Sequence, residues 1–165
     1  MSADPDFPLD VEIAIEHAGW TEADAALAET VLATALPLAG YALDGPCEIS
    51  VLLTGDEGQR ALNARWRGKD SATNVLSFPQ LGADDAIEGL LGDLSLAHET
   101  VSREASEQDK PFEAHFAHLL VHGLLHLLGY DHETGQEALA MEARETDILA
   151  RLGYPDPYGG EEPED

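Results

Sequence analysis

A histidine-rich segment in the second half of the chain has the composition of a metal site. The segment HGLLHLLGYDH spans residues 122–132 and places His122, His126 and His132 at intervals of four and six. Five of the seven histidines fall between His115 and His132. Because imidazole nitrogens are common ligands of zinc and other transition metals, this segment is the first candidate for chemistry.

The spacing suits one metal ion if the segment is a helix that ends before its last histidine. Residues four apart lie on one face, about 40° from each other around the axis, so His122 and His126 can share an ion. A straight helix would carry His132 roughly 15 Å further along the axis. Gly129 suits a left-handed residue that ends the helix and turns the chain back. We therefore predict a three-histidine zinc site with an open fourth position, as in catalytic zinc centres.

The same spacing, H-x-x-x-H-x-x-G-x-x-H, occurs in metzincin proteases, which carry a glutamate after the first histidine as general base. Here that position is Gly123, so the usual machinery for peptide hydrolysis lacks its base. The alternative, that the three histidines only pack or bond locally, explains their joint spacing with Gly129 less well. Asp131 either orients a ligand imidazole or is a turn residue.

The other four histidines are predicted to have supporting roles. His115 and His118 precede the proposed ligands on the same helix, which cannot bring four successive ligands onto one tetrahedral ion. We expect them to hydrogen-bond near the site or to pack. His17 and His98 have no metal-type partner in sequence and are interpreted as structural.

The distribution of charge singles out one short basic segment. The formal net charge is −25, which argues against a general affinity for nucleic acid, because phosphate binding usually requires a basic face. Four of the eight lysines and arginines nevertheless lie within ten residues: Arg60, Arg65, Arg67 and Lys69. These side chains either pair with the surplus carboxylates or form a local phosphate-binding patch. The planar guanidinium of Arg67 suits a bidentate phosphate contact.

Composition narrows the class of protein. A chain of 165 residues fits one domain, and a single cysteine, Cys47, allows neither an intrachain disulfide nor a cysteine-based zinc site. The first ten residues lack the pattern of a secretory signal. No apolar run is long enough to span a bilayer. We expect a cytoplasmic protein that does not contact a membrane.

Hydrophobic periodicity predicts an α+β domain with early strands and late helices. The domain is expected over residues 1–153, followed by an acidic, disordered tail over 154–165. Residues 80–92 are interpreted as a loop. The predicted strands cover residues 11–17, 47–54, 73–78 and 93–99, and the predicted helices cover 21–36, 56–67, 100–108, 111–129 and 133–153.

Three separated motifs, RWRGKDSATNVLSFP, LLGDLSL and HGLLHLLGYDH, occur in the order found in the YbeY family, which the chain resembles from Val11 to Tyr158. The resemblance implies a zincin-like α+β fold with a small mixed four-stranded sheet and about five helices. It implies one Zn²⁺ per chain on His122, His126 and His132, and a catalytic role for Arg67. The implied activity is a metal-dependent endoribonuclease specific for single-stranded RNA. The implied roles are maturation of the 3′ end of 16S rRNA and ribosome quality control. The implied partners are 16S rRNA and the small ribosomal subunit with its assembly proteins.

Two alternatives stay open at this point. The chain could be a metal-dependent hydrolase of peptides or small molecules, as the metzincin-like spacing indicates. It could also be a ribosome-assembly factor without enzymatic activity, whose zinc is structural. The residues identify no general base. They also do not decide whether water or the 2′-hydroxyl of the RNA is the nucleophile.

Overall fold

A mixed sheet of four strands forms the centre of the part of the chain that the structure describes. The computed structural model describes residues 9–82, 84–130 and 134–158. The strands across the sheet follow the order β1-β2-β4-β3. Strands β1, β2 and β4 are parallel, and β3 runs antiparallel to β4 at the edge of the sheet. Their bounds are β1 (Leu9–Ile15), β2 (Cys47–Thr54), β3 (Val75–Pro79) and β4 (Gly89–Ala97).

Five α-helices accompany this sheet in the described residues, which confirms the predicted α+β fold class. A short 3₁₀ turn over Leu36–Leu38 follows the first of them. Local signals set several of the ends: Thr21 caps the first helix with a capping box, and Gly68 ends the second in the left-handed conformation. The helices are α1 (Glu22–Ala35), α2 (Asp56–Arg67), α3 (His98–Glu107), α4 (Phe112–Leu127) and α5 (Gly135–Leu152).

Helix α4 is the central element of the core. Ten of its sixteen residues are buried, as expected for a helix that is apolar on most of its faces. It packs tightly on the sheet at Gly123, where an added Cβ atom would lie 2.8 Å from Leu94 Cδ2 and 3.3 Å from Ser77 Oγ. Position 123 therefore faces β3 and β4. A glutamate there would project against the sheet.

Strand β4 is longer than predicted. Residues 89–92, which the sequence analysis interpreted as loop, form the first part of β4 and pair with β2. The glycines in this stretch suggested a turn, but they accommodate positive φ angles of 73° at Gly89 and 153° at Gly92 instead. The register between β2 and β4 shifts at this point, which is a β-bulge. It depends on pairing between strands that are distant in sequence. At its other end β4 stops at Ala97, and His98, predicted in the strand, begins α3.

The described chain continues along the domain beyond α5, as far as Tyr158. Residues 154–158, predicted to belong to the tail, contact α4 and the residue two positions before it. Tyr154 donates a hydrogen bond to Glu113 of α4 (2.6 Å), and Lys110 Nζ donates to the carbonyl of Pro157 (2.8 Å). The rest of the predicted tail, 159–165, lies outside the described residues. Among the described helices, none combines the length and apolar character needed to cross a membrane.

Replacing Gly92 with alanine should destabilise the protein strongly. The added Cβ would lie 2.5 Å from the carbonyl oxygen of Phe78 and 2.7 Å from Leu127 Cδ2, at a backbone angle that L-residues rarely adopt. We expect a loss of roughly 2–3 kcal/mol in the free energy of unfolding, measured by chemical denaturation. Gly135→Ala is the matched control, because an added Cβ there meets no atom of the described residues within 4 Å. Equal stability of the two variants would contradict this account of the β4 bulge.

Candidate metal centre

Helix α4 places His122 and His126 side by side near its C-terminal end. Their ring centroids lie 4.7 Å apart with an angle of 80° between the ring planes. The helix ends at Leu127, the residue after His126, and Gly129 adopts a positive φ of 107°. The Tyr130 amide then donates to the carbonyl of Leu125 (2.9 Å), which closes the turn. The predicted left-handed glycine after two aligned histidines is confirmed.

Both histidines are held through the same ring nitrogen. His122 Nδ1 lies 2.5 Å from Glu145 Oε2, and His126 Nδ1 lies 3.1 Å from the carbonyl oxygen of Tyr130. Since both partners are acceptors, each Nδ1 donates, and in a neutral imidazole this leaves the lone pair on Nε2. Metal-ligating histidines are commonly oriented in this way, by a carboxylate or a carbonyl on the other nitrogen. The pair therefore fits a metal ion on the Nε2 side.

The third predicted ligand, His132, lies outside the described residues together with Asp131. Among the residues that the structure does describe, no group of three histidines, cysteines, aspartates or glutamates is placed to hold a metal ion. The three-histidine set therefore stays a prediction, of which the described part supplies two members in a suitable tautomer.

A buried carboxylate, Glu145 of α5, organises the inner side of this centre. It is 0% exposed and receives hydrogen bonds from His118 Nε2 (3.0 Å), His122 Nδ1 and the Tyr158 hydroxyl. Burial acts to raise the pKa of Glu145, but these bonds outweigh it and lower the pKa to about 2. Glu145 is therefore ionised at neutral pH and supplies the negative charge beside His122.

Glu145 belongs to none of the motifs that predicted the site. A signal was present, because Met141, Ile148 and Leu149 form the buried stripe of α5 and Glu145 lies within that stripe. A charged residue at an inward-facing helical position is rarely buried without a partner. The partners lie on α4 and beyond the end of α5, so spacing along the chain could not identify them.

Tyr158 joins the end of the described chain to the same carboxylate. Its hydroxyl donates to Glu145 and lies 3.3 Å from His118 Nε2. Burial, the hydrogen bond to Glu145 and neighbouring negative charge raise the pKa of Tyr158, so its hydroxyl keeps its proton. Residues 154–158 thus contribute to the environment of the candidate centre.

His115 and His118 bond to carboxylates on neighbouring elements, in keeping with the supporting role predicted for them. His115 Nε2 lies 2.9 Å from Glu104 of α3, which also accepts a bond from Asn74 Nδ2 (3.0 Å). Burial lowers the pKa of His115. Both histidines and His122 line a cavity of about 270 Å³, together with Lys110 and Tyr158.

Arg67 lies at the last position of α2 and reaches across to the edge strand. Its guanidinium donates to the carbonyl of Ser77 and lies 5.4 Å from the centroid of the Phe78 ring. The Ser77 hydroxyl in turn donates to the carbonyl of Gly123 (3.3 Å), the residue after His122. The structure therefore brings the predicted arginine to the strand that packs on α4 beside the histidine pair.

Of the other three cations in the basic segment, one pairs with a carboxylate and two are exposed and available to a phosphate-binding patch. Arg60 pairs with Asp70 at 3.4 Å, which fits simple charge compensation. Arg65 lies 5.2 Å from the Trp66 ring centroid, and Lys69 is exposed after the end of α2.

His17 and His98 form a separate aromatic group. Their rings stack with centroids 5.4 Å apart, and His98 meets Trp20 edge-on at 4.9 Å. His17 Nδ1 accepts from the Gly19 amide, and its Nε2 lies 3.4 Å from Glu99. These contacts agree with their interpretation as structural residues.

Comparison with known proteins gives a consistent assignment. The family model described as Endoribonuclease YbeY matches residues 13–153. Relatives named Endoribonuclease YbeY include proteins of Magnetococcus marinus (58% identical, covering 75% of this chain and 90% of the relative) and a Bradyrhizobium species (54% identical; 82% and 85%). A third, from Rhizobium meliloti, is 48% identical and covers 94% of this chain and 98% of its own.

The fold has a counterpart among solved structures. A Thermotoga maritima protein, solved in solution, superposes with a TM-score of 0.58 over 93% of this chain and 97% of its own. At 21% sequence identity this likeness supports the α+β fold alone.

Removing the Glu145 carboxylate should destabilise the metal-free protein. In Glu145→Ala, the donors of His118, His122 and Tyr158 would lose a buried acceptor, so we expect a loss of roughly 3 kcal/mol in the free energy of unfolding. Glu145→Gln should lose less, since its amide oxygen still accepts. Denaturation in the presence of a chelator measures both. Glu142→Ala, on the same helix but only partly buried, is the control, and an equally small effect in Glu145→Ala would rule out an organising role for this carboxylate.

Proposed function

The chain belongs to the endoribonuclease YbeY family, and on that premise we propose that it cleaves single-stranded RNA with a metal ion held by His122, His126 and His132. Enzymes of this family are hydrolases of RNA phosphoester bonds that act in rRNA processing. One observation carries the proposal for this chain. Two aligned histidines, each bonded at Nδ1 to an acceptor, lie beside the strand that Arg67 contacts.

Zinc is the metal that these residues fit best. Two or three imidazoles with ordered Nδ1 partners are typical of catalytic zinc, and we propose one ion per chain. When bound, zinc polarises a phosphoryl oxygen and makes water more acidic. The protein's part is to fix the rings: the Glu145 carboxylate orients His122, and the Tyr130 carbonyl orients His126.

Arg67 is proposed to bind a phosphate of the RNA. A guanidinium has five N–H donors, and the Ser77 carbonyl accepts from Nη2 only. The remaining donors can form a bidentate contact with phosphate. On a chain with a net charge of −25, such a local cation determines where a polyanion can approach.

The packing of Gly123 supports RNA over peptide as the substrate. A peptidase with this histidine spacing places its glutamate base directly after the first ligand. In this chain that position faces β3 and β4, with Leu94 and Ser77 in contact range. The arrangement therefore favours chemistry in which the metal, an arginine and the substrate itself carry the reaction.

The proposed biological role is maturation of the 3′ end of 16S rRNA and ribosome quality control, with the small ribosomal subunit and its assembly proteins as partners. Because this substrate is ribosomal RNA, the proposed site of action is the cytoplasm. The test is an assay of the purified protein on single-stranded RNA, duplex RNA and casein. Cleavage of the single strand alone is expected, whereas cleavage of casein alone would refute the proposal.

Metal content should depend on each of the three proposed ligands. The parent should hold close to one zinc per chain, and His122→Ala, His126→Ala and His132→Ala should each hold close to none, because two imidazoles bind zinc far more weakly than three. Elemental analysis of the purified proteins measures this. His17→Ala is the control, since His17 lies in the separate aromatic group. A variant at 122, 126 or 132 that kept its full zinc would remove that residue from the set.

Arg67→Lys should lower RNA cleavage although the net charge is unchanged, because lysine lacks the planar fork. We expect a loss of roughly tenfold or more, and a larger loss in Arg67→Ala. Binding of single-stranded RNA across a salt series should lose about 0.7 in slope in Arg67→Ala, as expected for one phosphate contact.

The control for this series is Arg151→Ala, which also removes one positive charge but from an ion pair with Asp147 on α5. Zinc content and melting temperature are measured on all variants. Parent-like cleavage and salt slope in both Arg67 variants would show that Arg67 is only a surface charge. Loss of zinc or of folding would show that its contact with Ser77 is structural.

A further inference from the structure

The face of the sheet opposite α4 carries a groove of about 530 Å³. Ser77 and Leu94 point toward Gly123 on α4, so their strand neighbours Phe78 and Asp93 point to the other face and line the groove. Helix α2 covers only part of this face. The volume lies within the roughly 300–1,000 Å³ that is usual for small-molecule pockets.

Trp66 forms one wall of this groove, and its position is unusual for a tryptophan. It is 63% exposed, whereas the other tryptophan of the chain, Trp20, is 4% exposed. The guanidinium of Arg65 lies 5.2 Å from the Trp66 ring centroid, and that of Arg67 lies 5.4 Å from the Phe78 ring centroid. Exposed aromatic rings beside arginines are the surface on which single-stranded nucleic acids stack their bases.

The charges within the groove indicate which part of a nucleotide would enter it. Glu12 and Asp93 are among the lining residues and would repel a phosphate. Gln80 also lines it and offers both donors and acceptors to the polar edge of a base. This lining suits a neutral, flat base, whereas a phosphate would be placed better beside Arg65 and Arg67, outside the lining residues.

We propose that this Trp66 groove binds an unpaired nucleobase of the RNA, stacked on Trp66, while an adjacent phosphate contacts Arg67. The inference rests on the proposed function and adds a base-binding subsite to it. Arg67 connects the two faces of the sheet, because it contacts the Ser77 carbonyl and the Phe78 ring while the Ser77 hydroxyl bonds to Gly123 beside His122. The RNA strand would thus pass across the edge of β3. A base paired in a duplex cannot enter, so the groove would favour single strands with little preference for sequence.

The test uses the full-length parent, Trp66→Phe and Trp66→Ala with a single-stranded 2′-O-methyl oligonucleotide, which binds without being cut. Tryptophan emission of the parent should be quenched on binding, and this quenching should vanish in Trp66→Phe. Affinity should fall a few-fold in Trp66→Phe and about tenfold or more in Trp66→Ala, the usual effect of losing one stacked base. Leu139→Ala, which alters an exposed apolar side chain on α5, should bind like the parent.

A second measurement separates stacking from a structural role of Trp66. Oligonucleotides with an abasic site at each position in turn should bind the parent more weakly at one position, and that site should cost nothing further in Trp66→Ala. Melting temperature and zinc content should match the parent. If Trp66→Ala does not fold, the emission and abasic measurements on Trp66→Phe decide.

The outcomes distinguish this inference from the function on which it rests. If the parent neither binds nor cuts RNA, the proposed function fails. If the parent cuts single-stranded RNA but its emission and the affinity of Trp66→Ala are unchanged, the function stands and the groove does not bind a base. Loss of ribosome association in Trp66→Ala, with parent-like binding of free RNA, would assign the groove to a protein partner and overturn the inference.

Discussion

The contact on which the candidate centre depends is the fully buried carboxylate of Glu145. An ionised carboxylate removed from water costs several kcal/mol unless donors surround it, and here His118, His122 and Tyr158 provide them. Helices α4 and α5 and the end of the described chain therefore meet at one charge. The same hydrogen bond that stabilises the ionised carboxylate also orients the ring of His122. Folding stability and the proposed metal binding thus depend on one hydrogen bond, so a substitution at Glu145 is expected to affect both.

The close approach of α4 to the sheet is the second constraint. Without a side chain at Gly123, the helix lies directly on Ser77 and Leu94, and His122 is carried to the edge where β3 ends the sheet. Position 123 is then unsuited to the glutamate that serves peptidases of related spacing. The chain therefore shares its histidine spacing with those peptidases. It differs from them in the packing at position 123.

The positions of the few cations determine where this acidic protein could bind a polyanion. Most of the surface repels a polyanion, while Arg65, Arg67 and Lys69 lie together at the end of α2. Arg67 is bonded to the edge strand and Arg65 is stacked near an exposed indole. On a negatively charged protein, this cluster of cations would favour one orientation of the proposed RNA substrate.

Much of this protein could be predicted from short-range patterns. The shared face of His122 and His126, the left-handed Gly129 and the ends of helices at Gly68 and Gly153 follow from helical periodicity and glycine's freedom at positive φ, and the structure bears them out. His132 remains a prediction, since it lies outside the described residues. Other features arise from contacts between distant segments: Glu145 bonds to a helix 23 residues earlier in the chain, and residues 89–92 become strand through pairing with β2. Tyr158 and Arg67 likewise acquire their partners only when α4, α5 and β3 pack together. Spacing along the chain specifies what one element can present, whereas the partner of a buried charge or a strand edge depends on packing between elements.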